Sequence, residues 1–124
     1  MVFSVQIISA LDIARKRGLK IPVIYNSSGY DSVETLRLLQ GYIDVFLPDF
    51  KYFSPELSMK YSACKDYFEY ASKAIAEMIR QVGQPKFSGG LITRGVIVRH
   101  LLLPGCLEDS KNVIKFLFAF TFLV

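Results

Sequence analysis

Short apolar runs rich in β-branched residues alternate with helical segments along the chain, and this alternation limits the folds that it can adopt. Three runs predict strands: residues 21–25 (IPVIY), 43–47 (IDVFL) and 95–103 (GVIVRHLLL). Strands that are separated by helices need parallel crossover connections. The sequence therefore predicts an α/β fold of parallel β/α units, with the element order α-β-α-β-α-α-β-α.

Capping residues and glycines set the bounds of the predicted helices. Ser54 followed by Pro55 is typical of an N-cap and a first helical position, and Asp31 and Asp66 each have a glutamate three residues later, as in a capping box. Residues 84–94, which contain two adjacent glycines, predict a loop or a small hairpin. The helices are therefore predicted over residues 5–17, 31–39, 54–61, 66–82 and 108–118.

The composition indicates one folded domain without a nucleic-acid partner. Of the 124 residues, 52% are hydrophobic and 21% are charged, which excludes a disordered chain. The net charge of +4 is not gathered into a patch, because the densest basic stretch, residues 15–17, falls at the end of a predicted helix. Cations are favoured there by the exposed carbonyl groups, so this stretch is better explained as a solvated helix end.

The sequence also predicts a cytoplasmic protein with no membrane partner. The apolar run at residues 113–124 is shorter than the roughly 20 residues that cross a bilayer, and no leader pattern opens the chain. Cys64 and Cys106 are too few for a disulfide framework and lack metal-ligand spacing, so we expect reduced thiols.

Polar side chains stand where the predicted strands end, which is where parallel α/β folds bind ligands. Asn26 and Ser27 follow the first strand. Asp49 and Lys51 follow the second, and their spacing puts both side chains on one side of an extended chain. A carboxylate and an ammonium group in that arrangement can hold a zwitterionic group, such as that of an amino acid.

His100 lies inside the third predicted strand, and alternation places its neighbour Arg99 on the opposite face, toward the helices or solvent. We expect Asn26, Asp49, Lys51 and His100 to meet at one edge of the sheet. Each signal also has a structural explanation: a polar loop after the first strand, a salt bridge after the second, and a hydrogen-bonded core histidine in the third.

The segments YNSSGY, LPDFKY and RGVIVRHLLLPG, in this order and spacing, resemble the radical S-adenosylmethionine (radical SAM) enzymes related to pyruvate formate-lyase activating enzyme. The resemblance covers residues 5–118. It implies a (β/α)6 partial TIM barrel, of which this chain holds the middle units, with S-adenosylmethionine and a [4Fe-4S] cluster at the open top. These oxidoreductases cleave the cofactor reductively to a 5′-deoxyadenosyl radical, which abstracts hydrogen from a protein glycine or another substrate.

The resemblance implies cofactor binding by five residues of this chain. Asn26 and Ser27 match the contact after the family's third barrel strand. Asp49 and Lys51 match the D-x-K after its fourth strand, near the methionyl group of the cofactor. His100 matches the histidine of R-H-x-x-x-P-G, also near the cofactor. Many relatives have T-N-G where this chain has S-S-G, so the hydroxyl of Ser27 is kept and the amide that follows it is lost.

The cluster ligands of the family have no counterpart here. Its C-x-x-x-C-x-x-C loop and its G-G-E segment are absent, and two cysteines cannot replace three thiolates in one loop. Residues 116–124 also differ from the family's next strand. We therefore interpret residues 1–124 as a single incomplete radical SAM-like domain that lacks the cluster loop and ends in an atypical apolar tail.

Two functions fit this interpretation: a fragment of a radical SAM enzyme of the activating-enzyme type, or a non-catalytic S-adenosylmethionine- or nucleotide-binding remnant that another chain completes. A flavodoxin-like domain is disfavoured, because no glycine-rich phosphate loop precedes a helix. Alone, the chain is expected to bind no iron–sulfur cluster, to leave S-adenosylmethionine uncleaved, and to self-associate through open sheet edges beside residues 21–25 and 96–103.

Overall fold

Helices and strands alternate through residues 4–123, the part of the chain that the computed structural model describes. The predicted order is confirmed, and of the two alternatives predicted for residues 84–94, a loop or a small hairpin, the structure shows the hairpin. In chain order the elements are α1 (Ser4–Lys16), β1 (Ile24–Ser27), α2 (Val33–Leu38), β2 (Val45–Pro48), α3 (Pro55–Ser62), α4 (Tyr67–Val82), β3 (Lys86–Ser88), β4 (Leu91–Val96) and α5 (Leu107–Leu123).

The strands form one sheet in the order β1-β2-β4-β3. The β1–β2 and β2–β4 pairs are parallel, which confirms the α/β prediction. The β3–β4 pair is antiparallel, because its two-residue turn at Gly89 and Gly90 is too short for a parallel crossover. Both turn glycines have positive φ angles, 59° and 80°, as the favoured two-residue hairpin turns require.

The first strand lies later in the chain than predicted. Asn26 and Ser27 were predicted to form a loop, but they are the last two residues of β1, in register with Leu47 and Pro48 of β2. The amide of Asp49 then donates a hydrogen bond to the carbonyl of Ser27 at 2.9 Å. Backbone pairing with β2 therefore extends β1 over Asn26 and Ser27, whose polar side chains had suggested a turn.

The third strand ends earlier than predicted, although the backbone beyond it still follows β2. The amide of Ile97 donates to the carbonyl of Phe46, and the amide of Arg99 donates to that of Pro48, each at 2.9 Å. A single parallel bridge then joins Asp49 and Arg99. The chain between β4 and this bridge is extended and carries Arg99 to the same edge of the sheet as Asp49.

The helix ends are partly as predicted. Ser54 is the N-cap of α3, and its hydroxyl accepts a hydrogen bond from the Leu57 amide. The N-cap of α2 is Ser32 rather than Asp31, because the Asp31 carboxylate is buried and accepts hydrogen bonds from the strand instead. The apolar tail continues α5 to Leu123, and Val124 lies outside the described residues.

Both clusters of the hydrophobic core lie on one face of the sheet. Helix α4 contributes to both of them, α1 and α2 pack on the cluster around Phe46, and α5 packs on the cluster around Phe50. On the opposite face, Ile24 is 56% exposed and Leu101 is 68% exposed. Parallel sheets are normally covered on both faces, but this face is largely open within the described residues, although Val45 of the central strand is buried on it.

Strand β1 lies at one edge of the sheet, as predicted for the first strand. At the other edge, β3 pairs with the first part of β4. In the described part of the chain, the segment after Val96 pairs with β2 on one side and with no strand on its other side. Self-association through these edges stays a prediction. Between residues 4 and 123, no helix is long and apolar enough to cross a membrane.

The stability of this fold depends on pH through one buried carboxylate, that of Glu77. Glu77 of α4 accepts hydrogen bonds from Arg80 and Gln81, and these outweigh the opposite effect of burial and lower its pKa from 4.5 to about 2. Because the pKa of Glu77 is lower in the folded than in the unfolded state, its carboxylate stabilises the fold. This stabilisation is fully present above about pH 4.5 and is lost as the pH falls toward 2.

We therefore expect the urea midpoint of the wild-type protein to fall steadily between pH 5 and about pH 2. A Glu77→Gln variant should show a flatter dependence, because it removes the titrating group. Glu69→Gln is the matched control, since Glu69 is exposed and pairs with Lys73 on the surface of α4. Equal slopes for wild type and Glu77→Gln would contradict this assignment.

Candidate functional site

Three polar side chains from neighbouring parts of the sheet meet at its carboxyl edge. Asn26 lies at the end of β1, Asp49 follows β2, and Arg99 follows β4. The Arg99 guanidinium donates from Nε to Asp49 Oδ1 at 2.8 Å and from Nη2 to Asn26 Oδ1 at 2.6 Å. We call these three residues the carboxyl-edge cluster.

The prediction that Arg99 points away from the site is wrong. Residues in register on parallel strands point their side chains to the same face, and Arg99 is the register partner of Asp49. Arg99 therefore shares the open face with Asp49, whereas His100 turns to the helix-covered side. The alternation rule was correct, but Arg99 rather than His100 shares a face with Asp49. His100 still lines the same cleft as Asp49 and Lys51.

His100 has both ring nitrogens committed to hydrogen bonds inside the protein. Nδ1 is 2.7 Å from the Phe50 carbonyl oxygen, and Nε2 is 2.9 Å from Ser110 Oγ. Because a carbonyl oxygen only accepts, Nδ1 carries a proton and donates to Phe50, and Nε2 shares a hydrogen bond with the Ser110 hydroxyl. His100 thus connects α5 to the segment after β2, which agrees with its alternative interpretation as a hydrogen-bonded core histidine.

A cleft of about 690 Å³ adjoins the carboxyl-edge cluster. In the described structure Asp49 pairs with Arg99 and not with Lys51. The Lys51 ammonium has no hydrogen bond or ion pair with the rest of the described chain. The cleft therefore contains the Asp49–Arg99 ion pair, in which the two charges balance, and the Lys51 ammonium, which has no described counter-charge. Its lining residues are Asp49, Lys51, Tyr52, Arg99, His100, Leu101 and Leu103.

The hydroxyl of Ser27 holds the loop after β1 rather than pointing into the cleft. It donates to Asp31 Oδ2 at 2.7 Å and accepts from the Gly29 amide at 3.2 Å. The buried Asp31 carboxylate also accepts from the Tyr25 hydroxyl at 3.0 Å. Burial, followed by the nearby charge of Asp31, raises the pKa of Tyr25 far above its ordinary value, so Tyr25 stays a neutral donor.

Tyr67 joins the loops after β1 and β2, which the sequence analysis did not predict. Its buried hydroxyl donates to the Ser28 carbonyl at 2.7 Å and accepts from the Lys51 amide at 3.0 Å. Burial raises the pKa of Tyr67 well above its ordinary value and keeps the hydroxyl protonated. The sequence gives no signal for this role, because Tyr67 lies 39 residues from Ser28.

A second cavity of about 610 Å³ lies on the other side of Lys51, between the loop after β1 and the start of α4. Inside it, Asp66 Oδ1 accepts from the Tyr30 hydroxyl at 2.7 Å and from the Cys64 thiol at 3.0 Å. These two hydrogen bonds hold the pKa of Asp66 below its usual range. The Asp66 carboxylate thus bonds to two side chains that line this cavity, and it makes no side-chain cap bond to α4.

The described residues do not fit an iron–sulfur cluster. Such clusters are held by several cysteine thiolates, and Cys64 and Cys106 are the only cysteines of the sequence. Across residues 4–123, no group of three or more histidine, cysteine, aspartate or glutamate side chains is arranged to hold a metal ion.

Fold and site together define an α/β protein whose mostly parallel sheet carries a polar cluster at its carboxyl edge. The chain is similar to Uncharacterized protein MJ0674 of Methanocaldococcus jannaschii, with 33% identity over 90 residues, which are 71% of this chain and 22% of that protein. The chain thus spans about a fifth of the length of this curated relative. No protein-family model matches the chain. No solved structure matches it either.

Proposed function

We propose that the chain is part of a radical SAM protein of the pyruvate formate-lyase activating enzyme type, and that it provides an S-adenosylmethionine-binding edge. The observation that supports this most is the meeting of Asn26, Asp49 and Arg99 beside the unpaired ammonium of Lys51. Ligands of parallel α/β proteins bind at this end of the strands. The same residues lie in the segments that resemble the family.

The largely uncovered sheet face favours a partial (β/α)6 barrel over a doubly wound sheet. Doubly wound folds carry helices on both faces, whereas barrel helices cover only the outer face and the inner face meets other strands. Both described core clusters lie on one face, and Ile24, Ile97 and Leu101 are exposed on the other. We propose that further β/α units complete the inner face.

The groups in and beside the cleft suit the chemical parts of S-adenosylmethionine. Lys51 can pair with the carboxylate of its methionyl group, and Asp49 retains one oxygen that can accept from an ammonium or hydroxyl group. Leu101 and Leu103 provide apolar wall for the remainder of the molecule. When bound, S-adenosylmethionine supplies the adenosyl group on which the hydrogen abstraction of this family depends, and these residues bind and orient it.

The second candidate is a non-catalytic S-adenosylmethionine- or nucleotide-binding remnant, completed by another chain. The lack of a thiolate set in the described part favours it. The DNA upstream of this reading frame separates the candidates, because an in-frame C-x-x-x-C-x-x-C segment would support the enzyme. For either one we propose a cytoplasmic protein that self-associates through its sheet edges, and for the enzyme a protein or small-molecule substrate.

Titration calorimetry with S-adenosylmethionine tests the proposal. Wild-type protein is expected to bind, and Lys51→Met should weaken binding by about tenfold to a hundredfold, because hydrogen bonds to charged groups contribute about 1.5–3 kcal/mol. Lys73→Met is the matched control, since Lys73 pairs with Glu69 on the exposed face of α4. Absence of binding by the wild type, or equal affinity of Lys51→Met, would refute the proposed site.

A further inference from the structure

One guanidinium group connects two of the proposed ligand-binding side chains at the carboxyl edge. Arg99 uses Nε for Asp49 and Nη2 for Asn26, so a single planar group spans the ends of three neighbouring strands. Arginine presents its five N–H donors in a fixed fork. The positions of the two acceptors are therefore fixed relative to each other as well as to the sheet.

We infer that Arg99 is a positioning residue, which decides what Asn26 and Asp49 present to a ligand. Asn26 Oδ1 accepts from Arg99, so its NH2 group is the part left for a ligand acceptor. Asp49 Oδ1 is likewise occupied, so Oδ2 is the part left for a ligand donor. The inference rests on the proposed function, because it concerns the orientation of groups at that site.

Charge alone does not account for this arrangement. An exposed ion pair adds little to stability, and the Arg99 side chain is 46% exposed. Lysine would keep the charge, but its ammonium is a single point that cannot hold both acceptors in the fork geometry of arginine. Arg99→Lys and Arg99→Gln should therefore both release the Asn26 amide, although only the second removes the charge.

The test combines side-chain amide NMR with calorimetry on the full chain. The Asn26 NH2 resonances are assigned from their loss in Asn26→Asp and are then recorded in Arg99→Lys, Arg99→Gln and the control Arg17→Gln. Arg17 is exposed at the end of α1 and carries no side-chain hydrogen bond in the described structure. We expect the resonances to move toward those of a free asparagine in both Arg99 variants and to stay in place in the control.

In the same variants the dissociation constant for S-adenosylmethionine should rise about tenfold or more, while the urea midpoint stays that of the wild type. Unchanged Asn26 resonances in Arg99→Gln would overturn the inference, as would unchanged affinity in a variant whose resonances move. If wild-type protein binds no S-adenosylmethionine, the proposed function fails, and the Asn26 resonances alone then decide whether Arg99 holds this side chain.

Discussion

Replacing Gly29 by alanine is expected to destabilise the protein by about 4 kcal/mol and to abolish ligand binding at the carboxyl edge. Gly29 has a φ of 82°, and a Cβ atom there would lie 2.0 Å from the Asp49 carbonyl oxygen and 3.0 Å from the Tyr67 hydroxyl. Both neighbours would have to move, which breaks the hydrogen bonds of Tyr67 that join the two loops.

Gly41→Ala is the matched control for this experiment. Its φ of 87° is nearly the same, but nothing lies within 4 Å of the added Cβ atom. It should therefore show only the backbone strain, about 1–2 kcal/mol. Urea unfolding followed by circular dichroism measures both variants. Equal losses of stability would contradict the close approach of Gly29 to Asp49.

Phe50→Ala should lower the free energy of unfolding by about 3–5 kcal/mol, because it leaves a cavity under the carboxyl edge. The Phe50 side chain is 0% exposed, and its ring centroid lies 5.5–6.2 Å from those of Tyr67, Phe68 and Phe116. Its ring thus joins α4 and α5 directly beneath the backbone that carries Asp49.

The control for Phe50→Ala is Phe87→Ala on β3, whose side chain is 66% exposed. A substitution of the same chemistry at an exposed site should change stability by about 0.5 kcal/mol or less. A loss below about 1 kcal/mol for Phe50→Ala would show that the cluster around Phe50 repacks without this ring.

The order of elements could be predicted because its signals are local. The Ser54-Pro55 cap, the β-branched run that precedes Asn26 and the glycine that follows α4 act within a few residues of where they stand. The strand bounds were less predictable, since pairing with β2 decides where β1 ends. Hydrogen bonds to a neighbouring strand override the turn preference of Asn26 and Ser27.

The partners within the site could not be predicted, because they are distant in sequence. Arg99 lies 50 residues from Asp49 and 73 from Asn26. Both alternating sets of residues 96–103 contain apolar side chains, so the pattern did not show which set faces the helices. Only the register with β2 decides this, and it places Arg99 instead of His100 at the open face.

The most direct measurement is a titration of the protein with S-adenosylmethionine followed by backbone amide NMR. The account expects saturable shifts concentrated at Asn26, Asp49, Lys51 and Arg99, with none at the β3–β4 turn on the far edge of the sheet. Shifts that are absent at millimolar ligand, or that map to the helix-covered face instead, would contradict a cofactor site at the carboxyl edge.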